Sequence, residues 1–451
     1  MVPAAARGGA LALVTGMMMT APARLLALLT LVASLFAAPA VASAATYYVA
    51  TTGSDSNPGS VSAPWRTIRV AVSRLSAGDT LYIRGGLYTG PADNIDSQSA
   101  TVPSGTSWAN AITISGYPGE TATLQPPDWY PGIRLTTGAP SYLIFQDLTI
   151  DMSRQRDDFN PAVNDKPEAI YVSSGTHHIR FQRLDVGYTM SNAIQWSTNG
   201  AGPAYASHLE LLDSKIHHAG QATGDSGHGG PGINNGYGIY MFTDDNLLAG
   251  NEFYSNCGIG INSYGSRNVF RNNTVHNNGT RGGPAPAMNL GSSSYPGMTS
   301  DNLIYNNLFV NNRGGLQVYT NSQNTGVYNN TMTGNQLDGL HLQYFGSVTV
   351  RNNIIVGNGG GIEIRNDGGA TVAVLDHNLL TDPSFVNVAT GDFSLQAGSA
   401  AIDAGTAVAE VTTDITGASR PSGGAFDIGA YERGASTALQ APKNLRVVAT
   451  N

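Results

Sequence analysis

Apolar and polar residues alternate in short segments along most of the chain. The alternation is clearest between residues 237 and 366, in the segments "YGIYMF", "GIGINS", "AMNLGS", "GLQVYT", "GLHLQY" and "GIEIRN". A period of two with many β-branched residues predicts strands that each bury one face. No helical period separates these segments. We therefore predict an all-β protein built from many short strands.

A second segment recurs between these strands and carries asparagine at fixed positions. "VFRNNTVHNN" begins at residue 269 and returns as "LIYNNLFVNN" from 303, "GVYNNTMTGN" from 326 and "TVRNNIIVGN" from 349. The starts are 34, 23 and 23 residues apart. A period in the low twenties with several strands in each repeat predicts a β-solenoid, in which successive rungs stack along one axis.

The repeated asparagines have a physical reason in such a solenoid. Equivalent residues of neighbouring rungs lie about 4.8 Å apart, and an amide side chain both donates and accepts hydrogen bonds. Asn also tolerates the left-handed backbone of a tight turn. We therefore predict an inward ladder of amides, formed by Asn251, Asn273, Asn307, Asn330 and Asn353.

These units resemble the rungs of right-handed parallel β-helix proteins of the pectate-lyase-like superfamily, including secreted bacterial polysaccharide lyases. The resemblance implies a right-handed parallel β-helix of about ten rungs, with a helical cap at its N-terminal end. Residues 66–75, "RTIRVAVSRL", are the expected cap helix. Residues 392–432 resemble a segment that follows such helices in exported bacterial proteins, and we expect them to form a distal cap.

The expected domain organisation follows from these segments. We assign residues 1–44 to a signal peptide, 45–390 to the β-helix, 391–433 to the C-terminal cap segment and 434–451 to a linker-like tail. The first segment joins Arg24 to an apolar run that ends in Ala-Ser-Ala, which is typical of a secretory leader. The sequence thus predicts a secreted protein, extracellular or periplasmic, without a transmembrane segment.

Charge and cysteine content narrow the partners. The formal net charge of −8 disfavours a nucleic-acid partner. Cys257 is the single cysteine, so no disulfide framework exists, and its apolar neighbours predict a buried, inert thiol. We expect a monomer that binds a polysaccharide.

In the resembling family each rung has three strands, and the asparagine ladder marks the turn between the second and the third. This placement makes "GIYM", "GIGI", "GLQV" and "GLHL" first strands, whose alternate residues point outward as one column. The column reads Arg134, Tyr171, Gln195, Tyr240, Asn262, Asn289, Gln317, Tyr319, His341, Gln343 and Glu363.

Amides, hydroxyls and aromatic rings in this column suit the binding of sugars, although any solvated sheet face is polar. Long insertions before several first strands are expected to wall the column into a groove. The predicted substrate-binding residues are Arg134, Tyr171, Gln195, Asn262, Asn289, Gln317, Tyr319 and His341.

The chemistry implied by the family is β-elimination from a uronic acid. This reaction needs a group that neutralises the carboxylate, a base that removes the adjacent proton, and an acid that assists the departing oxygen. Lys215, His228 and Tyr240 are the candidates for proton transfer, and Arg281 with Asn262 are the candidate carboxylate partners. Asp157 and Asp158, in an oxygen-rich loop, are candidate calcium ligands.

Three functions remain open at this point. The first is a lyase that cleaves a uronic-acid-containing polysaccharide. The second is a glycoside hydrolase, which needs two carboxylates; Asp225 with Asp244 or Asp245 could supply them. The third is a non-catalytic surface protein that binds glycans, since a fold does not fix a function.

Overall fold

The computed structural model describes residues 44–155, 167–197, 205–220, 236–280, 285–292, 299–320, 322–343, 346–360, 363–367 and 371–434. Within these ranges the chain is almost entirely β, and its strands assemble into three long parallel sheets. The predicted alternation is the cause, because one face of each strand is buried and the other faces outward. We name the sheets by the order in which the chain visits them in each rung.

The first sheet has ten strands in the described residues, and all pair in parallel. Each strand spans two to five residues, since it forms only one side of a rung. The strands are Ile95–Asp96, Ile133–Leu135, Ile170–Val172, Ile194–Trp196, Ile239–Met241, Ile261–Ser263, Pro286–Leu290, Gly314–Val318, Leu340–Gln343 and Ile364–Asp367.

The second sheet has twelve strands and extends furthest along the axis. Its longest members have six residues, and three of these four lie in the N-terminal half. The strands are Thr46–Val49, Thr80–Ile83, Ile112–Gly116, Ser141–Gln146, His177–Gln182, Ser207–Leu212, Leu247–Ala249, Val269–Arg271, Leu303–Tyr305, Thr325–Tyr328, Ser347–Arg351 and Thr371–Asp376.

The third sheet completes each rung with ten strands. They are Gly86–Tyr88, Ala122–Leu124, Thr149–Asp151, Asp185–Gly187, Lys215–His217, Glu252–Tyr254, Thr274–His276, Leu308–Val310, Thr331–Thr333 and Ile354–Val356. Two small additions complete the strands. Thr299–Ser300 pairs in parallel with Ser322–Gln323, and Phe385–Asn387 pairs antiparallel with Asp392–Leu395.

Corners between the sheets begin with a residue in the left-handed backbone region. Between the second and third sheets these residues include Asp213, Asn272 and Asn306, with φ of 48°, 57° and 53°. Asn and Asp accept this conformation more readily than other non-glycine residues. The fourth position of the repeated unit therefore turns the chain, and the fifth forms the ladder.

The amide ladder between the second and third sheets follows the predicted column. The Oδ1 atom of Asn273 accepts from both the backbone N–H and the Nδ2 of Asn251, each at 3.0 Å. The ladder continues from Asn273 to Asn307 by the same pattern at 2.9 Å. Its members are Asn251, Asn273, Asn307, Asn330, Asn353 and Asn378.

The other two corners carry amide ladders of their own. The third-to-first corner uses the tenth position of the repeat, and the first-to-second corner uses a column that the sequence analysis did not identify. Their members are Asn256, Asn278, Asn312, Asn335 and Asn358, and Asn246, Asn268 and Asn302. Buried backbone groups at all three corners are thereby satisfied.

Apolar side chains from the three sheets fill the coil. Ile170, Ile194 and Ile239 lie in register on neighbouring first strands, and all are fully buried. Phe145 stacks on Phe181 with ring centroids 5.4 Å apart inside the second sheet. One continuous core therefore runs the length of the coil.

A short helix, Ile68–Ser73, covers the N-terminal end of this core. Ile68, Ala71 and Val72 are its buried residues, and they join the core of the coil. The predicted cap helix is thus present within the predicted stretch 66–75.

The C-terminal segment packs beside the last rungs, against their outer side. Asn306, Asn329 and Asn352 donate their side-chain N–H groups to the carbonyls of Thr413, Asp427 and Thr406 at 2.6, 3.0 and 2.7 Å. Leu308 and Val310, which face outward from the third sheet, are buried against Phe393, Ala430 and Tyr431. The C-terminal segment, which was expected to cap the distal end of the coil, therefore covers its outer side, because these outward apolar residues need burial.

The all-β parallel coil confirms the predicted fold class. Cys257 is free and buried, as expected for an inert thiol. In the described part of the chain, no helix is long and apolar enough to cross a membrane.

Candidate functional site

Outward-facing residues of the first sheet form one continuous row. Register pairs Arg134 with Tyr171, Tyr171 with Gln195, and Gln195 with Tyr240. We call this set the first-sheet row, and it comprises Asp96, Arg134, Tyr171, Gln195, Tyr240, Asn262, Asn289, Gln317, His341 and Arg365. With rungs about 4.8 Å apart, the row is about 40 Å long, enough to contact several sugar units.

The predicted substrate-binding residues lie together on this face. All except Tyr319 belong to the first-sheet row, and Tyr319 directly follows the strand Gly314–Val318. The catalytic candidate Tyr240 lies in the row between Gln195 and Asn262. The alignment follows from the sequence period, whereas the roles of these residues stay predictions.

Arg134 is held by an acidic neighbour at the N-terminal end of the row. Its Nε and Nη2 donate to the two carboxylate oxygens of Asp96 at 2.8 and 2.6 Å. Burial by itself would raise the pKa of Asp96, but hydrogen bonds from Arg134 and Ser99 outweigh it and lower that pKa. The charge of Arg134 is therefore already balanced within the protein.

Aromatic rings cluster at the centre of the row. The ring of Tyr240 lies 5.3 Å from that of Tyr237, 4.4 Å from Phe242 and 5.6 Å from Tyr264, between centroids. Three of these rings carry hydroxyls, so the cluster joins apolar area with hydrogen-bonding capacity. Such a surface can contact both the faces and the hydroxyls of a sugar.

Two amides of the row are buried and bonded to their neighbours. Asn289 donates to the Oδ1 of Asn262 at 2.9 Å, and Asn262 donates to the Tyr264 hydroxyl at 3.3 Å. Asn262 is fully buried and Asn289 is 7% exposed. The prediction that both contact substrate directly does not fit this burial. Both amides therefore support the outward face of the row, and Asn262 contributes by donating to the hydroxyl of Tyr264.

A cavity of about 370 Å³ lies at the distal end of the row. Its floor includes Leu316 and Ile259, and its polar groups come from the row and its edges. We call it the distal pocket, and its polar lining includes Asn289, Gln317, Tyr319, Asp338, His341, Gln343 and Arg365. Gln317 donates to the Oε1 of Gln343 at 3.0 Å, which fixes both amides.

Charged groups of the distal pocket form a closed network. The Nε2 of His341 lies 3.0 Å from the Oδ2 of Asp367, and its Nδ1 lies 4.0 Å from the Oδ2 of Asp338. Arg365 contacts the same two carboxylates at 2.8 and 3.7 Å. Two carboxylates thus share one guanidinium and one imidazole.

The end of the predicted column needs a correction. Register places Arg365 beside His341, where the sequence analysis placed Glu363. Glu363 instead accepts from the backbone N–H of Gly357 at 2.9 Å and from the Nδ2 of Asn358 at 2.6 Å. It therefore ends the third-to-first amide ladder. Sequence reasoning missed Arg365 and Asp338, although Arg365 is the next outward residue after Glu363.

Lys215, a candidate for proton transfer, lies in a different sheet from Tyr240. Its strand, Lys215–His217, belongs to the third sheet, where Lys215 is in register with Asp185 and Glu252. A residue of the third sheet cannot share the outward face of the first. Lys215 belongs instead beside an imidazole cluster, in which the Nε2 of His217 lies 2.7 Å from Asp185.

The remaining predicted site residues lie outside the described residues. These are the catalytic candidates His228 and Arg281 and the calcium candidates Asp157 and Asp158. Among the residues that are described, no group of three or more His, Cys, Asp or Glu side chains could hold a metal ion. The calcium prediction is therefore untested.

Comparison with known proteins places the geometry in a family context. A family model described as the Pel9A-like, right-handed β-helix region matches residues 47–353, which is more than half of the chain. Pectate lyase PEL9 of Emericella nidulans is 41% identical over 82 residues. That stretch covers 18% of this chain and only 18% of the relative's length.

Solved structures share the coil at low sequence identity. The crystal structure of pectate lyase Pel9A matches with a TM-score of 0.58 at 18% identity, over 86% of this chain and 96% of that one. A rhamnogalacturonan lyase matches with a TM-score of 0.53 at 16% identity, over 76% and 91%. The GH136 lacto-N-biosidase of Eubacterium ramulus matches at 0.51 and 12%, over 75% and 68%. These likenesses show the fold alone.

Proposed function

This chain belongs to the Pel9A-like right-handed β-helix family, and from that membership we propose that it is a polysaccharide lyase. The substrate is a polysaccharide that contains uronic acid, bound along the first-sheet row and cleaved by β-elimination. We further propose that the protein acts outside the cell, because residues 1–44 have the composition of a secretory leader.

One observation carries this proposal. The first-sheet row places Tyr171, Gln195 and Tyr240 on one outward face at successive rungs, next to further tyrosine rings. A face of rings, amides and hydroxyls that continues over many rungs suits an extended sugar chain better than a small molecule.

Tyr240 is the proposed proton-transfer residue within the described part of the row. Its phenol can donate a proton to the departing oxygen, or act as the base when a neighbouring cation favours the phenolate. Gln195, beside it, can orient a sugar hydroxyl. His228 and Arg281 stay the proposed partners for proton transfer and for the uronate carboxylate. No step here depends on calcium.

The test is an activity screen on alginate, pectate, glucuronan and glycosaminoglycans. A lyase raises the ultraviolet absorbance of the unsaturated uronate product. We expect Tyr240→Phe, which loses only a hydroxyl, to lower kcat at least about a hundredfold, as loss of a general acid or base typically does. Tyr82→Phe, whose ring stacks on Tyr48 on the second sheet, is the matched control and should keep full activity.

Three outcomes would contradict the proposal. They are a panel without any absorbance rise, equal activity of Tyr240→Phe and wild type, and an equal loss in Tyr82→Phe. Binding of a polymer without cleavage would instead identify the protein as a non-catalytic glycan-binding coil.

A glycoside hydrolase is the second candidate, and one observation favours it. Asp338, which lines the distal pocket, and Asp367 contact the same His341 and Arg365, so two carboxylates lie close together at this end of the row. Two carboxylates are what glycoside hydrolysis requires. In the same screen, a hydrolase produces new reducing ends without the absorbance rise, and Asp338→Asn would abolish them.

A further inference from the structure

We propose that the distal pocket is a subsite for an uncharged sugar unit. This inference rests on the proposed function, since it takes the pocket to be the end of a polysaccharide groove. It deepens that function by naming the class of sugar that binds there. The natural polymer would then contain neutral sugars beside its uronic acids, because one end of the groove selects against a carboxylate.

Charge is the first argument. The pocket's single guanidinium, on Arg365, already bonds Asp367 at 2.8 Å and lies 3.7 Å from Asp338. Asp367 is ionised at neutral pH, since the hydrogen bond from Arg365 holds its pKa below the ordinary value. Even a protonated His341 only brings this network to neutrality. Among the described residues that line the pocket, a uronate would add a third negative charge and would meet no cation that is not already paired.

The lining chemistry is the second argument. Gln317 and Gln343 offer amide donors and acceptors, and Tyr319 adds a ring and a hydroxyl. The carboxylate of Asp338 can accept from one sugar hydroxyl, and the guanidinium of Arg365 beside it can donate to the next. The half-buried Leu337 and Ala285 add apolar contact for the C–H face of a pyranose ring. All these groups bind hydroxyls, and none requires charge on the ligand.

The third argument is that the amides of the pocket are held in place by hydrogen bonds. Gln317 donates to Gln343 at 3.0 Å across one rung, and Asn289 is anchored to Asn262 at 2.9 Å. The amides are thus oriented before a ligand arrives, which lowers the entropy loss on binding. A preorganised neutral surface recognises the position of hydroxyls, so the pocket should discriminate between epimers.

The test is direct binding without turnover. Saturation-transfer NMR on the full chain would compare methyl glycosides of galactose, xylose and rhamnose with galacturonate and glucuronate. We expect at least one neutral glycoside to bind more tightly than either uronate. Arg365→Gln should weaken that binding about tenfold or more, since it removes a charged hydrogen-bond donor.

Two variants sharpen the test. Arg351→Gln breaks a similar pair, with Asp376 at 2.7 Å, but on the second sheet, and it should leave binding unchanged. Asp338→Asn with Asp367→Asn should free Arg365 and raise uronate affinity about tenfold, because the guanidinium then lacks a competing carboxylate.

The inference is overturned if uronates bind wild type at least as tightly as neutral glycosides. It is equally overturned if no neutral glycoside binds, or if Arg365→Gln binds like wild type. The binding measurement does not need cleavage. If the protein binds neutral sugar but has no lyase activity, the proposed function is contradicted and this inference is not.

Discussion

The two halves of the coil stack their corners with different chemistry. In the C-terminal half, buried asparagines bond rung to rung, as Asn273 does with Asn251 and Asn307. In the N-terminal half, the left-handed turn residues that directly precede the ladder positions of the first-to-second corner carry rings. Tyr142 stacks on His178 at 4.7 Å, and His178 stacks on His208 at 4.8 Å.

The ring-bearing residues adopt the same left-handed backbone as the asparagines elsewhere. His178 and His208 both have φ of 54°, close to the 55° of Asn277. Backbone geometry at the corner is therefore common to both halves, and only the side-chain contact between rungs differs. Amides satisfy buried polar groups without charge, whereas imidazoles acquire charge in acid. The ring stacks of the N-terminal half should thus respond to pH, whereas the amide ladders of the C-terminal half should not.

The largest expected effect comes from breaking an amide ladder. In Asn273→Ala, the buried backbone N–H of Asn251 loses its acceptor, and the carbonyl of Leu248 loses a donor at 2.9 Å. Two unsatisfied buried groups should lower the free energy of unfolding by about 3 kcal/mol. Urea unfolding followed by circular dichroism would measure the loss.

An asparagine outside the ladders provides the control. Asn387 is exposed, and its side chain does not cap the short 3-10 helix that follows it. Asn387→Ala should therefore change stability by less than about 0.5 kcal/mol. Equal losses in the two variants would mean that the ladder contributes nothing beyond an ordinary surface amide.

A smaller effect should follow from acidification of the N-terminal half. Burial, joined by the charge of His217, lowers the pKa of His218 from 6.5 to about 4, against an opposing effect of Asp185. The unfolded chain therefore takes up a proton first as the pH falls. Stability present above pH 6.5 is lost progressively towards pH 4, by about 1–2 kcal/mol after allowance for partial exposure.

His218→Asn separates this titration from the rest of the molecule. Asn suits the left-handed backbone at this position, where φ is 52°. We expect the variant to lose less stability than wild type between pH 6.5 and 4, measured by urea unfolding at both values. Identical pH dependence would contradict the comparison, because the ring stack of Tyr188 on His218 would then carry no proton linkage.

The smallest expected effect concerns an exposed ion pair between two rungs of the N-terminal half. Arg183 bonds Asp147 at 2.6 Å, but the side chains are 44% and 40% exposed. Solvent screening leaves such pairs with little net energy, so Asp147→Asn should lower stability by less than about 1 kcal/mol. Its melting temperature, compared with that of Asn273→Ala, shows whether buried amides or surface charges join the rungs. A larger loss in Asp147→Asn would reverse this interpretation.

Much of the fold could be predicted because repetition amplifies weak local signals. One Asn-Asn pair indicates only a turn, whereas recurrence at Asn273, Asn307, Asn330 and Asn353 indicates a ladder. The ring stacks of the N-terminal half were missed because Tyr142, His178 and His208 do not repeat one residue type in every rung. Their common property is a backbone angle, which single residues do not reveal.

The alternation of inward and outward residues along each strand allowed only part of the site to be predicted. That period placed Tyr171, Tyr240 and Asn289 in one row, since equivalent positions repeat in every rung. It did not reveal that Asn262 is buried, because burial depends on Tyr264 from the same rung. Lys215 lies on the third sheet, and the period of two does not show whether a side chain there reaches Tyr240. Asp338 was missed because it lies before the strand Leu340–Gln343, where the alternation of inward and outward residues does not apply.

The most direct test of the account is a hydrogen-exchange footprint of the full chain with uronan oligosaccharides. The account predicts protection in the first-sheet strands Ile170–Val172, Ile194–Trp196 and Ile239–Met241. It predicts unchanged exchange in the third-sheet strands Lys215–His217 and Glu252–Tyr254 of neighbouring rungs. Protection of the third sheet, with exchange in the first sheet unchanged, would contradict the claim that the first-sheet row binds the substrate.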